Sequence, residues 1–151
     1  MGRIDNRIVG KKKSRKKVVK KKAKKKKLPS LPSLLKKAQS VFNAYIRRRD
    51  SEDGYFTCIS TGKDLPIDQM NAGHYVPQGS CSFLRFHEWN VNGESVGSNL
   101  FDNFHLIGYR KNLIDKIGLD AVEWLENNRH TPKRWTRAEL NEIIDKYGTT
   151  S

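Results

Sequence analysis

The sequence has little cysteine. Cys58 and Cys81 are its only two thiols, too few for a disulfide framework and in keeping with a reducing compartment. It has no apolar run near the roughly 20 residues that a membrane span requires. Its basic start is not followed by an apolar core, so a secretory signal is not expected. The first 27 residues contain no aromatic residue and a single acid, Asp5, while all 14 Phe, Tyr and Trp lie beyond them. A segment so poor in apolar groups cannot bury enough surface to offset the entropy of ordering it. It also lacks the aromatic or leucine face that would insert into a bilayer.

That opening segment is rich in cations. It holds 15 Lys and Arg, among them Lys11, Lys12, Lys13 and Arg15, and so carries the whole +14 of the 151-residue chain. The other 15 bases and 15 acids, spread over residues 28–151, cancel. A neutral body with a cationic arm favours a polyanionic partner, and nucleic acid is the first candidate. Contacts of this kind are salt-sensitive and independent of base sequence, so the arm would supply affinity and not chemistry. The expected organisation is a disordered Lys-rich arm over 1–27, a Pro/Ser hinge over 28–33 and a folded domain over 34–151.

Within the domain, Leu34, Leu35, Ala38, Val41, Phe42, Tyr45 and Ile46 recur at three-to-four spacing. This predicts a helix over 34–49 with Ser33 as its cap. The apolar stripe is expected to pack within the chain, with a dimer interface as the alternative. Arg47, Arg48 and Arg49 close the helix; they suit its dipole and equally suit phosphates. Asp53-Gly54 and Ser60–Lys63 read as turns around a strand at 55–59. Short extended pieces are expected at 73–76 and near 84–91, with a turn at Asn92-Gly93. From Asn99 the pattern is helical, its apolar positions Leu100, Phe104, Ile107, Leu113, Ile114 and Ile117, with Gly118 as the stop. Asp120 should cap a further helix, with Glu123 three on and Val122, Trp124 and Leu125 inward, and Thr136 with Glu139 form a capping box before the last one. The fold class is α+β, mainly helical, with a small loop-rich β element.

Four histidines are present, at 74, 87, 105 and 130. His74 falls on a short strand, Asn90 in a polar loop and His105 on a helix. A strand His, a loop Asn and a helix His in this order resemble the H-N-H constellation of the ββα-metal nucleases. The chemistry explains the residue types. Phosphodiester hydrolysis needs a base that titrates near neutrality and a divalent ion to neutralise phosphate and leaving-group oxygens. The amide can orient the base through a hydrogen bond.

A wider set of motifs is more specific. Tyr45–Asp50, Cys58–Pro66, Met70–Tyr75, Arg85–Gly93, Tyr109–Ile114 and the Arg137–Leu140 helix together resemble the phage recombination protein family NinG/Rap over about residues 34–147. That resemblance implies an HNH-type endonuclease on a treble-clef-like ββα element. It further implies Mg²⁺ or Mn²⁺ as cofactor, branched DNA such as a four-way junction as substrate, and action in the cytoplasm of a phage-infected cell, near the nucleoid. Cutting both strands of a junction symmetrically would require a homodimer. Under this resemblance His74 is the general base and Asn90 its orienting partner. His105, Asn99 and Asn71 are the metal-ligand candidates, and Asn71 stands where the family usually has Asp.

The family's paired Cys-x-x-Cys knuckles read here as Cys58…Thr61 and Ser95…Ser98. Hydroxyls are poor zinc ligands, so no structural zinc is expected. Turn hydrogen bonds and the packing of Phe56, Ile59, Phe86 and Trp89 should hold the knuckles instead, with Cys58 buried. Arg85, Arg110 and Lys111 are DNA-binding candidates because cations, and guanidinium forks above all, match phosphate oxygens. For Arg85 and Arg110 the equal alternative is an ion pair with Glu88 or Asp102. His87 is expected to be structural, His130 exposed, and Trp89, Trp124 and Trp135 core anchors. The rival to the enzyme is a DNA-binding module on a nuclease-like fold whose site has decayed.

Overall fold

The structure is a computed structural model that describes Gly2, residues 27–101 and residues 104–148, without the side chains of 100 and 101. Asp102 and residues 3–26 of the arm, with its candidate contacts Lys11, Lys12, Lys13 and Arg15, lie outside the described residues.

Helix α1 spans Leu31–Arg49. Its cap is Ser30, whose Oγ accepts from Ser33 N at 3.3 Å, and not Ser33. The expected hinge is therefore cut short. Pro32 fits in the first helical turn, where a missing N–H costs nothing, so the chain enters the helix three residues early. Leu34, Ala38, Phe42 and Ile46 form its buried stripe. They pack with Leu140 and Tyr147 of α5, Arg137–Gly148, so the stripe is satisfied within the chain. Phe42 lies edge-on to both Tyr147 and Phe86, with centroids 4.9 and 5.6 Å away.

After α1 comes a three-stranded antiparallel sheet of β1 (Ser51–Glu52), β2 (Tyr55–Thr57) and β3 (Asp64–Pro66), in that order. The strand expected to reach residue 59 stops at Thr57, because the chain turns there: Gly62 N donates to Cys58 O at 2.7 Å. A 3-10 turn at Ile67–Gln69 leads into β4, Met70–His74. This strand starts earlier than the predicted piece at 73–76. It pairs antiparallel with β5, Val91–Ser95, in a separate two-stranded sheet that matches Asn71 with Glu94, Gly73 with Asn92 and His74 with Val91.

The turn expected at Asn92-Gly93 does not form; both residues lie within β5. Tertiary partners override the local preference. Gly93 N donates to Asp50 Oδ2 at 2.8 Å, and Asn92 Nδ2 donates to Trp89 O and to Tyr109 Oη. The extended piece expected near 84–91 is a run of short turns until Val91 joins β5.

The single helix expected from Asn99 is two: α2, Val96–Phe101, and α3, His105–Ile117. In the first turn of α2, Ser95 Oγ accepts from Ser98 N at 3.1 Å. Phe104 and Ile107 are 74% and 72% exposed, not inward, while Tyr109 and Leu113 carry the burial of α3. Helix α4, Leu119–Asn127, follows directly on Gly118, so Asp120 lies inside the first turn and does not cap it. Thr136 and Glu139 do form the reciprocal box before α5: Thr136 N donates to Glu139 Oε2 and Glu139 N to Thr136 Oγ1. Tyr109, Leu113, Val122 and Leu125 unite α3 and α4 in a second core, and Phe56, Cys58 and Met70 form a third.

Candidate active site

His74 ends β4. Its Nε2 lies 3.0 Å from the carbonyl oxygen of Arg85. A carbonyl only accepts, so Nε2 carries the proton and Nδ1 keeps a lone pair as the basic nitrogen. Burial pushes the His74 pKa down from its ordinary value, outweighing the carbonyl hydrogen bond.

Asn90 is fully buried and does not hold His74 directly, contrary to the expected contact. Its Oδ1 accepts from Val76 N at 2.8 Å, and its Nδ2 donates to Val76 O at 3.0 Å and Leu84 O at 3.1 Å. The amide therefore ties the two ends of the 76–84 loop together. It reaches His74 through the backbone, since Arg85, whose carbonyl holds the imidazole, follows Leu84.

His105 opens α3, and its Nδ1 lies 2.6 Å from Glu94 Oε1. His74 from β4, Asn99 from α2 and His105 line one cleft of about 360 Å³, together with Asn43, Ala72 and Gln78. Three residues from separate elements thus converge. Asn71 does not join them. It sits opposite Glu94 in the sheet, one residue out of phase with Ala72 and His74, because alternate strand residues point to opposite faces.

Among the described residues no group of three His, Cys, Asp or Glu is arranged to hold a metal. The cleft does offer an imidazole and an amide oxygen, from His105 and Asn99. Two such donors can enter the shell of a divalent ion beside water, and an imidazole suits Mn²⁺ better than Mg²⁺. The knuckle positions do not fit zinc, as only one of the four carries a thiol. Hydrogen bonds join them instead: Ser95 N donates to Cys58 Sγ at 3.2 Å and Ser95 Oγ to Ser98 Oγ at 2.9 Å. Burial pushes the Cys58 thiol up, but hydrogen bonds with Thr61 and Ser95 outweigh it and hold its pKa below the ordinary value. The apolar support is not the expected quartet. Phe56 packs with Cys58, whereas Ile59 and Phe86 belong to other cores and Trp89 is 43% exposed.

The cations divide by partner. Arg49 is committed internally, donating to Asp50, to the carbonyls of Glu88 and Val91 and to Asn92. Arg47 and Arg48 are exposed and donate to single carbonyls, of Ile67 and Tyr147. Arg110 pairs with Glu126 at 2.7 Å, not with Glu88. Arg85 Nη1 donates to Gln39, and its buried Nε has no hydrogen-bond partner among the described residues. Lys111 is exposed on α3, and His130 is exposed as expected. His87 packs between Trp89 and Trp124, with centroids 5.2 and 5.0 Å away. Trp124 is 38% exposed, so neither it nor Trp89 is a core anchor, while Trp135 is partly buried against Phe86. The polar turn that carries Trp89 and the short α4 leave these two rings at the surface.

Sequence reasoning missed Glu94 and Ser60. Reading Asn92-Gly93 as a turn hid the strand alternation that would have turned Glu94 toward the same face as Asn71 and Gly73.

The sequence model of the family described as NinG, Bacteriophage Lambda NinG protein, matches residues 4–150. The chain belongs to the NinG family. It is 40% identical over 113 residues to the protein ninG of Escherichia phage 933W, covering 75% of this chain and 54% of that one. It is 39% identical to the protein ninG of Escherichia phage lambda and 38% to that of Salmonella phage P22, each over 113 residues, 75% of this chain and 53% of the relative. The chain thus spans about half the length of these NinG relatives. No solved structure matches it.

Proposed function

We propose that this NinG-family chain is a divalent-metal-dependent DNA endonuclease acting on branched recombination intermediates, with β4, β5 and the following helices as its HNH-type ββα element. The observation that carries the reading is the meeting of His74, Asn99 and His105 in one cleft. His74 is the general base. Its Nε2–H is held by the Arg85 carbonyl, and its lowered pKa keeps it unprotonated and able to take a proton from the water that attacks phosphorus. Asn90 acts as a positioning residue by fixing the loop that presents that carbonyl. His105 and Asn99 would hold the ion, which when bound supplies charge neutralisation at the phosphate and leaving oxygens. Exposed Arg47, Arg48 and Lys111 serve as phosphate contacts, and the basic arm adds non-specific affinity.

The test is cleavage of linear, single-stranded and four-way-junction DNA over a series of divalent ions. The expected result is Mn²⁺- or Mg²⁺-dependent cutting that His74→Ala abolishes. A second reading, a DNA-binding module with a decayed site, draws on Asn71: the resemblance implies an acid at this position, and the residue pairs with Glu94 in the sheet and does not line the cleft. Tight junction binding with no cutting under any ion would favour it.

A further inference from the structure

Behind the cleft lies a buried carboxylate. Glu94, on β5, is fully buried. Its Oε1 accepts from His105 Nδ1 at 2.6 Å and also from the Ser60 hydroxyl. Its Oε2 is buried with no hydrogen-bond partner among the described residues. A buried carboxylate is costly unless its partners compensate, and the backbone is shaped to admit this one. A Cβ at residue 73 would collide with the Glu94 carboxylate, and a Cβ at residue 108 would collide with the Ser60 carbonyl. Gly73 therefore leaves room for the acid, and Gly108 lets α3 close onto the turn that presents Ser60.

The contact has a directional consequence. A carboxylate offers lone pairs only, so the shared proton belongs to Nδ1 of His105. The ring is then fixed as the Nδ1–H tautomer, and Nε2 is the nitrogen that keeps its lone pair. His105 lines the cleft, whereas Glu94 is shut away from it. A carboxylate behind an imidazole fixes the tautomer and the orientation of the ring.

We propose that Glu94 is a positioning residue that locks His105 in the Nδ1–H tautomer and presents Nε2 to the cleft as a ligand for a divalent cation. Ser60 holds the carboxylate in that pose. The ligand role of His105 rests on the nuclease reading; the tautomer lock does not.

Both parts can be read without DNA. The full chain, labelled with ¹⁵N-histidine, is compared with Glu94→Ala and Glu94→Gln at mildly alkaline pH for its imidazole ¹⁵N shifts. Binding of Mn²⁺ alone is measured on the same samples. Wild type should show His105 as Nδ1–H. Glu94→Ala should revert to the Nε2–H form preferred by free imidazole and lose about 10- to 100-fold in Mn²⁺ affinity. Glu94→Gln keeps an acceptor oxygen but no charge, so it should hold the tautomer while its Mn²⁺ affinity falls by a smaller factor. An Nε2–H ring in wild type would overturn the proposal. So would a folded Glu94→Ala with unchanged tautomer and affinity. If the alanine variant does not fold, wild-type Mn²⁺ affinity in Glu94→Gln overturns it. Absence of cleavage by the wild type, alongside the predicted tautomer and affinity changes, would remove the nuclease reading and leave the Glu94 assignment standing.

Discussion

The amide at residue 90 meets one N–H and two carbonyls inside the protein, a combination only an amide side chain of this size satisfies. Asn90→Asp would keep the bond from Val76 N but set an oxygen against the Val76 and Leu84 carbonyls. It should cost about 1–3 kcal/mol in urea unfolding and slow cleavage without weakening DNA binding; wild-type stability would contradict the loop-tying role. His74 makes a pH prediction. Its folded pKa lies below the ordinary 6.5, so the unfolded chain takes up a proton first as pH falls. Stability from this group is complete above 6.5, declines as pH drops through that value and levels off below the folded pKa. His74→Asn should flatten that slope only in part, because burial lowers the His87 pKa too. An unchanged slope measured by denaturation across pH would show that His74 is solvated. His74, His105 and Asn99, named through the family resemblance, line one cleft. The part Asn90 plays was not readable in the sequence, since it depends on which loop carbonyls come within reach of its amide.

At the scale of elements, legibility followed periodicity and length. The 31–49 helix shows several turns of one apolar stripe, and the last helix carries its capping box in sequence, so both were placed closely. The short β5 is not legible in sequence, because five residues containing Asn-Gly show a turn preference that contacts with Asp50, Trp89 and Tyr109 override. The start of α3 was misjudged in another way. Its apolar Phe104 and Ile107 face outward, and periodicity alone does not say which stripe meets the core. The capping box gives a direct check: Thr136→Ala should destabilise the protein by about 1 kcal/mol, read as a lower urea midpoint at constant slope. No change would mean that α5 is held by its packing on α1 alone.

For the whole molecule, the division of charge organises the account. The +14 lies in the first 27 residues, and the remainder is neutral. Deleting residues 1–27 should weaken DNA binding, most at low salt, and flatten the dependence of log affinity on log salt. The single-turnover cleavage rate at saturating enzyme should stay within a few-fold of the full chain, an order-of-magnitude allowance for a segment that binds phosphate without touching the chemistry. An unchanged salt slope would remove the arm from DNA binding. Family membership shows which proteins the chain resembles; the proposed activity is centred on the cleft between β4, α2 and α3. The most direct test of that centre is single-turnover cleavage of a four-way junction by wild type and His74→Ala in Mn²⁺, with DNA affinity measured on the same samples. A His74-dependent nuclease should show cutting by the wild type, its loss in the variant and equal affinities for both. Equal cutting by His74→Ala would contradict that dependence.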